Sequence, residues 1–261
     1  MEQFRQAAKR LDASDVVSLL REVYPDGVRG RNEAEALIAF DREFKDPAPE
    51  WRGFMAEAVA DHLLQRSEPA GIVTETKASW LISAIAPKGR IATRGGTEAL
   101  TRTIELASEI PAAFAAFAIR ELWRDVQLLN ARDVSLLRRI LEKAGKSGAP
   151  VSSAEAEALF DLHDTVAGAG NHASFDDLFF RAITNYLMSS SGRETLPRRD
   201  AFSREPRRDA GHGIAGESCA WLSSRIMRDG RPTPAERSLL ALIEKSPEPD
   251  PSLRRSFDHA A

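Results

Sequence analysis

The pentapeptide EAEAL occurs at residues 33–37 and again at residues 155–159. Blocks on both sides of it also recur in the same order. Upstream, the sequence SLLR at 18–21 recurs at 135–138. Downstream, the apolar stripe at 51–64 recurs at 175–188. Further on, WL at 80–81 recurs at 221–222, and GR at 89–90 recurs at 230–231. Collinear blocks of this kind predict a tandem internal duplication.

Apolar residues spaced three and four apart in each copy predict five helices. In copy one they run near 12–24, 32–45, 51–66, 75–86 and 97–109, and in copy two near 132–144, 153–167, 174–190, 215–228 and 234–245. One more helix, over about 112–129, follows Pro111 and joins the copies. The sequence therefore predicts an all-α helical bundle.

The predicted domain organisation follows the duplication. Copy one takes residues 1–130, including the joining helix, and copy two takes residues 131–245. Copy two has gained residues 145–150 and the Arg-rich stretch 192–216. The tail 246–261 contains three prolines and few apolar residues, so we predict that it is disordered.

Composition limits the classes of function. The 261 residues are 43% hydrophobic and 29% charged, with a net charge of −3 and one cysteine, Cys219. The charge argues against a nucleic-acid-binding protein, and a single cysteine argues against disulfides and suits a reducing compartment. The sequence has neither the apolar stretch of a signal peptide nor that of a membrane span. We therefore expect a cytoplasmic protein that contacts neither nucleic acid nor membrane.

A Gly-Arg, Thr, Glu and Leu pattern occurs in both copies. Copy one has Gly89-Arg90, Thr93, Glu98 and Leu100, and copy two has Gly230-Arg231, Thr233, Glu236 and Leu239. This pattern resembles the TerB-like family of tellurite-resistance helical domains. The resemblance implies an all-helical fold and a role in stress or metal-ion response, with no catalytic residues.

Four residues are candidate metal ligands: His163, Asp164, His172 and Asp176. Imidazole and carboxylate groups could ligate an ion there. The alternative is structural, because Asp176 and its neighbour Asp177 fall in a predicted first helical turn, where acidic side chains are favoured. The matching loop 45–50 of copy one has no histidine, which favours the structural alternative.

Three other patterns also have structural explanations. Asp229-Gly230 followed by Glu236 has the Gly-to-Glu spacing of an EF-hand loop, but the earlier ligand positions hold Arg225 and Met227. We therefore interpret the glycine as a helix end and the glutamate as a helix cap. Glu57, Asp61 and His62 are interpreted as surface charge, and Cys219 as a buried thiol.

The Arg-rich stretch contains Arg198, Arg199, Arg204, Arg207 and Arg208, interspersed with acidic residues. It is predicted to be a solvated linker or a short exposed helix. Residues 192–212 are expected to be mobile or extended over the surface, and their deletion is expected to leave the unfolding midpoint within a few degrees. The alternative is a docking segment for an acidic partner.

No polar constellation is shared by both copies. The sequence therefore predicts a non-enzymatic protein-interaction module, without cofactor, connected with stress response. The alternative is a metal-responsive or metal-binding helical protein of the tellurite-resistance type. The sequence leaves open the partner and the oligomeric state.

Overall fold

A computed structural model describes residues 30–43, 47–146, 148–203, 216–228 and 232–244, with the single positions Ser14, Ser18, Val28 and Ile214. Every regular element in these residues is an α-helix, and their one β-type pairing is an isolated bridge between Ile72 and Glu109. The helices are α1 Arg31–Asp41, α2 Pro49–Leu64, α3 Glu75–Ile85, α4 Arg94–Leu106, α5 Ala112–Leu122, α6 Ala131–Lys143, α7 Ser153–Thr165, α8 Ser174–Ser190, α9 Arg198–Ser203, α10 Gly216–Ile226 and α11 Pro234–Glu244. The all-α prediction is confirmed.

The chain divides into two compact units, Met1–Phe114 and Ala115–Ala261, hereafter unit 1 and unit 2. In unit 1, α2 packs most closely on α4, and α1 contacts α2, α3 and α4. Thr74 and Thr93 cap α3 and α4, each accepting a hydrogen bond from the backbone N–H three residues on. The indole of Trp51 lies at the centre of this core, fully buried, and donates to the Asp41 carboxylate at 2.8 Å.

A buried lysine fixes the loop between α2 and α3. Lys77 is 7% exposed, and its Nζ donates to the carbonyls of Ser67, Pro69 and Ile72 at 2.7, 2.7 and 3.0 Å. An ammonium has three N–H donors, so each one finds a carbonyl. Burial lowers the pKa of Lys77 from its ordinary value. The lysine therefore holds the loop in place from within the unit.

In unit 2, α8 is the helix against which α6, α7, α9 and α11 pack. Capping boxes begin α6 at Asn130 and α7 at Ser152, where a cap side chain and an acidic side chain bind each other's backbone N–H groups. An aromatic core joins α7 to α8. Phe160 of α7 lies edge-on to Phe179 of α8, with ring centroids 5.0 Å apart.

Four predictions about particular segments have different outcomes. The joining helix, predicted over 112–129, ends at Leu122 and is followed by a turn. Over 192–216 the sequence predicts a solvated linker or a short exposed helix. Residues 198–203 do form a short helix, α9, but the prediction of exposure is wrong for Arg198 and Phe202, which are buried. The predicted helix 12–24 falls almost wholly outside the described residues, and the predicted disordered tail 246–261 lies entirely outside them.

None of the helices in the described ranges combines the length and the apolar character needed to cross a bilayer.

Candidate functional site

The Arg-rich stretch contributes a buried ion pair. Arg198 is 4% exposed, and its guanidinium pairs with Glu155, which is fully buried, at 2.6 Å. The remaining N–H groups donate to the carbonyls of Leu141, Ala149 and Pro150 at 2.9, 2.8 and 2.6 Å. With its second bond to Glu155, at 2.9 Å, all five guanidinium N–H donors have acceptors. Arg198 therefore acts inside unit 2 and is not presented on its surface.

The other predicted interaction residues differ from Arg198. Arg199, the next residue of α9, is exposed. Arg204, Arg207 and Arg208 lie outside the described residues. A docking role for these four arginines stays a prediction.

Unit 1 has a groove between α1 and α3 with a volume of about 320 Å³, which we call the Trp80 groove. Its lining residues are Arg31, Glu35, Ala39, Arg42, Trp80, Ser83 and Ala84. The Trp80 indole donates to Glu35 Oε1 at 2.7 Å, and the Arg31 guanidinium lies 5.7 Å from the indole ring centroid. Hydrogen bonds from Arg31 and then Trp80 lower the pKa of Glu35. The groove thus joins an indole, a carboxylate and arginines.

Unit 2 carries a matching group, the Trp221 cluster, made of Glu157 and Asp161 on α7, Trp221 and Arg225 on α10, and Arg228 just after the end of α10. The Trp221 indole donates to Glu157 Oε1 at 2.7 Å, the same distance and the same pairing as in the Trp80 groove. Arg225 pairs with Glu157, and Arg228 pairs with Asp161 at 2.9 Å. Here Arg225 lies on the helix of the tryptophan and Arg228 follows its end, whereas in unit 1 Arg31 lies on the helix of the glutamate and Arg42 is the C-cap of that helix.

The ring that packs on each tryptophan also corresponds. The residues directly before Leu63 and Leu187 are His62 and Tyr186, and both meet their tryptophan edge-on. The His62–Trp80 centroids are 5.7 Å apart and the Tyr186–Trp221 centroids 4.7 Å. Trp80 is 8% exposed and Trp221 is partly exposed.

The structure regroups the candidate metal ligands. His163 and Asp164 come together with Glu236 at the start of α11, so that one ligand atom from each lies within 4.8 Å of the others. His172 and Asp176 are exposed and do not belong to this group. The Nδ1 of His172 instead bonds the Ser174 hydroxyl at 2.7 Å, beside the first turn of α8.

The predicted cap role of Glu236 is confirmed. Its Oε2 accepts from the Thr233 N–H at 2.7 Å, and the Thr233 hydroxyl accepts from the Glu236 N–H at 3.3 Å. Glu236 is not among the metal ligands predicted from the sequence, because it is far from His163 along the chain. Its spacing from Gly230, which is the Gly-to-Glu spacing of an EF-hand loop, was the sequence signal that connected it with metal binding.

The charged triplet on α2 separates into different environments. Glu57 is exposed and pairs with Arg102 at 2.7 Å, and Asp61 pairs with Arg66 at 2.8 Å. His62 is buried against Trp80, so the surface-charge interpretation is wrong for it. Among the described residues its Nδ1 has no hydrogen-bond partner. The thiol of Cys219 is fully buried, as predicted.

Because His62 is buried, we expect the stability of unit 1 to fall in acid. Burial first, and then the charge of Arg66, lowers the pKa of His62. Below the unfolded value of about 6.5, the unfolded chain binds a proton that the folded chain does not, so the free energy of unfolding falls as the pH falls. We expect the pH dependence of urea unfolding between pH 7.5 and 5 to become shallower in His62→Gln. An equally steep dependence in the variant would contradict this assignment.

Comparison with protein families, with curated proteins and with solved structures finds no match to this chain.

Proposed function

We propose that this chain is a non-enzymatic, duplicated helical module that binds a protein partner through the Trp80 groove and the Trp221 cluster. The observation that carries the proposal is the repetition of one polar cluster in both units, which corrects the expectation that the two copies share no polar constellation. A Trp indole donates to the second glutamate of each EAEAL segment at 2.7 Å, with arginines beside it. The matching contacts support the duplication as well as the surface.

The chemistry of the cluster suits protein recognition. Tryptophan and arginine are enriched among the residues that contribute most to protein interfaces. The glutamate holds each indole N–H, so the ring edge is fixed before a partner arrives, and preorganised side chains lose less entropy on binding. The different origin of the arginines in the two units gives each surface its own charge pattern.

A larger side chain at the groove tests this function. Ser83 borders the Trp80 groove and Ser224 holds the matching position in unit 2; both are exposed on helices. We expect Ser83→Arg or Ser224→Arg to abolish capture of a partner that co-purifies with the wild-type chain from its source cells. Unfolding midpoints should stay unchanged, since exposed helical positions tolerate arginine.

The matched control is Ser135→Arg, because Ser135 is exposed on α6 and belongs to neither cluster. It should retain the partner. Retention of the same partner by Ser83→Arg and Ser224→Arg would exclude the two clusters as the interface. Loss with the control as well would show that any added arginine disturbs the complex.

Location and pathway are part of the same proposal. We place the module in the cytoplasm, apart from nucleic acid, because its net charge is −3 and it has a single cysteine. The TerB-like pattern is the basis for a stress-related role.

A second candidate function is metal-ion response. It is supported by the approach of His163, Asp164 and Glu236 to within 4.8 Å, which joins one imidazole and two carboxylates at the contact of α7 with α11. Calorimetric titration of the chelator-treated chain with divalent ions tests this candidate.

A further inference from the structure

We propose that His163, Asp164 and Glu236 bind one divalent ion of the zinc class in unit 2. This inference rests on the second candidate function and gives it a site, a ligand set and a type of ion. The three residues come from two places, the end of α7 and the first turn of α11. His163 and Glu236 are 3% and 2% exposed, so two of the three ligands are already removed from water.

The separation of His163 and Glu236 fits a shared ion. His163 Nδ1 and Glu236 Oε1 are 3.9 Å apart. A direct hydrogen bond between nitrogen and oxygen spans about 2.7–3.2 Å. Two ligands that each lie about 2.0–2.2 Å from one Zn²⁺ stand roughly 3–4 Å from each other. The observed distance is therefore one that a small ion between the two atoms would bridge.

Thr233 orients both buried ligands. Its hydroxyl lies 3.4 Å from His163 Nε2, and its N–H donates to Glu236 Oε2 at 2.7 Å. The contacts with Thr233 thus involve the second ring nitrogen of the histidine and the second carboxylate oxygen, and not the Nδ1 and Oε1 atoms that lie 3.9 Å apart. Metal-binding histidines and carboxylates characteristically have such a partner on the atom that does not touch the metal.

Asp164 supplies the third ligand, and because it is partly exposed it is the side from which an ion would enter. Its side chain is 25% exposed and lies 3.4 Å from the Arg228 guanidinium. The arginine also pairs with Asp161 at 2.9 Å, and this hydrogen bond is the main cause of its raised pKa. When an ion takes Asp164, Arg228 keeps Asp161 as a partner. Arg228 therefore competes with the ion for Asp164 and weakens binding without blocking it.

The donor set selects the class of ion. Calcium and magnesium prefer six or more oxygen ligands, whereas an imidazole nitrogen suits zinc and its first-row neighbours. Three protein ligands leave a fourth tetrahedral position for water beside the partly exposed Asp164. The site is thus expected to bind Zn²⁺ or Co²⁺ in preference to Mg²⁺ or Ca²⁺.

Unit 1 provides a natural contrast. The residue three positions after the capping threonine is Glu236 in unit 2 and Gly96 in unit 1, and both donate their N–H to the threonine hydroxyl. Without a carboxylate there, unit 1 cannot form the same ligand set. The proposal therefore requires one ion per chain.

Titration with Zn²⁺ and Co²⁺ tests the site in the full chain. We expect one equivalent to bind, and Glu236→Gln to weaken binding by about 100-fold or more, since even loss of an outer partner costs 10–100-fold. Glutamine keeps an oxygen for the Thr233 N–H, so the cap of α11 survives. Arg228→Gln should tighten binding by removing the competing charge, an effect that unfolding could not produce.

His172→Ala is the matched control, because it removes an exposed histidine of the same unit that lies outside the group. It should leave the affinity unchanged. If the wild-type chain binds no Zn²⁺, the second candidate function fails and the site with it. If Zn²⁺ binds but neither Glu236→Gln nor Arg228→Gln alters the affinity, or if His172→Ala abolishes it, the chain binds metal and only this ligand assignment is wrong.

Discussion

Replacing Arg198 by methionine is expected to lower the free energy of unfolding of unit 2 by about 3–5 kcal/mol, the usual cost of removing one partner from a buried ion pair. The Glu155 carboxylate, fully buried, would lose both of its guanidinium hydrogen bonds. The carbonyls of Leu141, Ala149 and Pro150 would each lose a charged donor. Methionine retains a comparable apolar length, so the loss reports mainly on the polar contacts. Hydrogen exchange over α7 and α9, followed through urea, measures it.

Two variants separate the ion pair from other effects. Arg199→Met changes the adjacent, exposed arginine of α9 and should cost about 0.5 kcal/mol or less. Adding Glu155→Gln to Arg198→Met removes the stranded charge while leaving an oxygen for the Ser152 N–H, and should recover part of the stability. An Arg198→Met variant as stable as Arg199→Met would show that the pair contributes little.

The contacts of Arg198 link the two segments that the predicted duplication assigns to copy two alone. Arg198 lies in the stretch 192–216, and two of its acceptors, Ala149 and Pro150, end the stretch 145–150. Asn185 connects the same regions, accepting from the Val151 N–H at 2.8 Å and donating to the Leu196 carbonyl at 3.2 Å. Deleting 192–212 would therefore leave buried acceptors without donors, which reverses the small effect expected from the sequence.

The helices could be predicted because each depends on local signals. The apolar spacing of α8 and its two first-turn aspartates predicted 174–190, which is the range observed. The prediction of the joining helix failed because contacts with residues further along the chain determine where that helix ends. After Leu122, Trp123 turns inward and donates to Asp133 at 3.2 Å, and Asn130 adopts an extended cap conformation that a continuing helix would not allow.

The buried polar groups could not be predicted for the same reason. In the sequence, Arg198 is one of several arginines in a charged stretch, and nothing local distinguishes it from Arg199. Its burial follows from Glu155 and three carbonyls that only the fold brings to it. Likewise, His163 was a candidate metal ligand only because it is a histidine. Glu236 is 73 positions away along the chain and comes close to it only when α11 packs against α8.

Replacing Phe179 by alanine is expected to lower the free energy of unfolding of unit 2 by about 3–5 kcal/mol, the usual cost of emptying a buried phenylalanine site. Phe179, in the N-terminal half of α8, is fully buried. Its ring lies edge-on to Phe160 at 5.0 Å and stacks on His163 at 4.1 Å, and such ring pairs add about 0.5–1.5 kcal/mol beyond the area they bury. Hydrogen exchange over α7 and α8 measures the loss.

Two further substitutions show whether that loss comes from the aromatic core. Met227→Ala removes an apolar side chain that is 42% exposed in the same unit, and should change stability by about 0.5 kcal/mol or less. Phe179→Met introduces the residue that the predicted duplication aligns with this position, Met55 of unit 1, which is itself fully buried. Methionine fills most of the volume but forms no ring pair, so the stability lost in Phe179→Met should fall between the losses in the other two variants.

A Phe179→Met variant as unstable as Phe179→Ala would mean that ring geometry dominates, and one as stable as the wild type would mean that volume alone matters. If Phe179→Ala cost no more than Met227→Ala, α8 would not be the helix on which unit 2 is built.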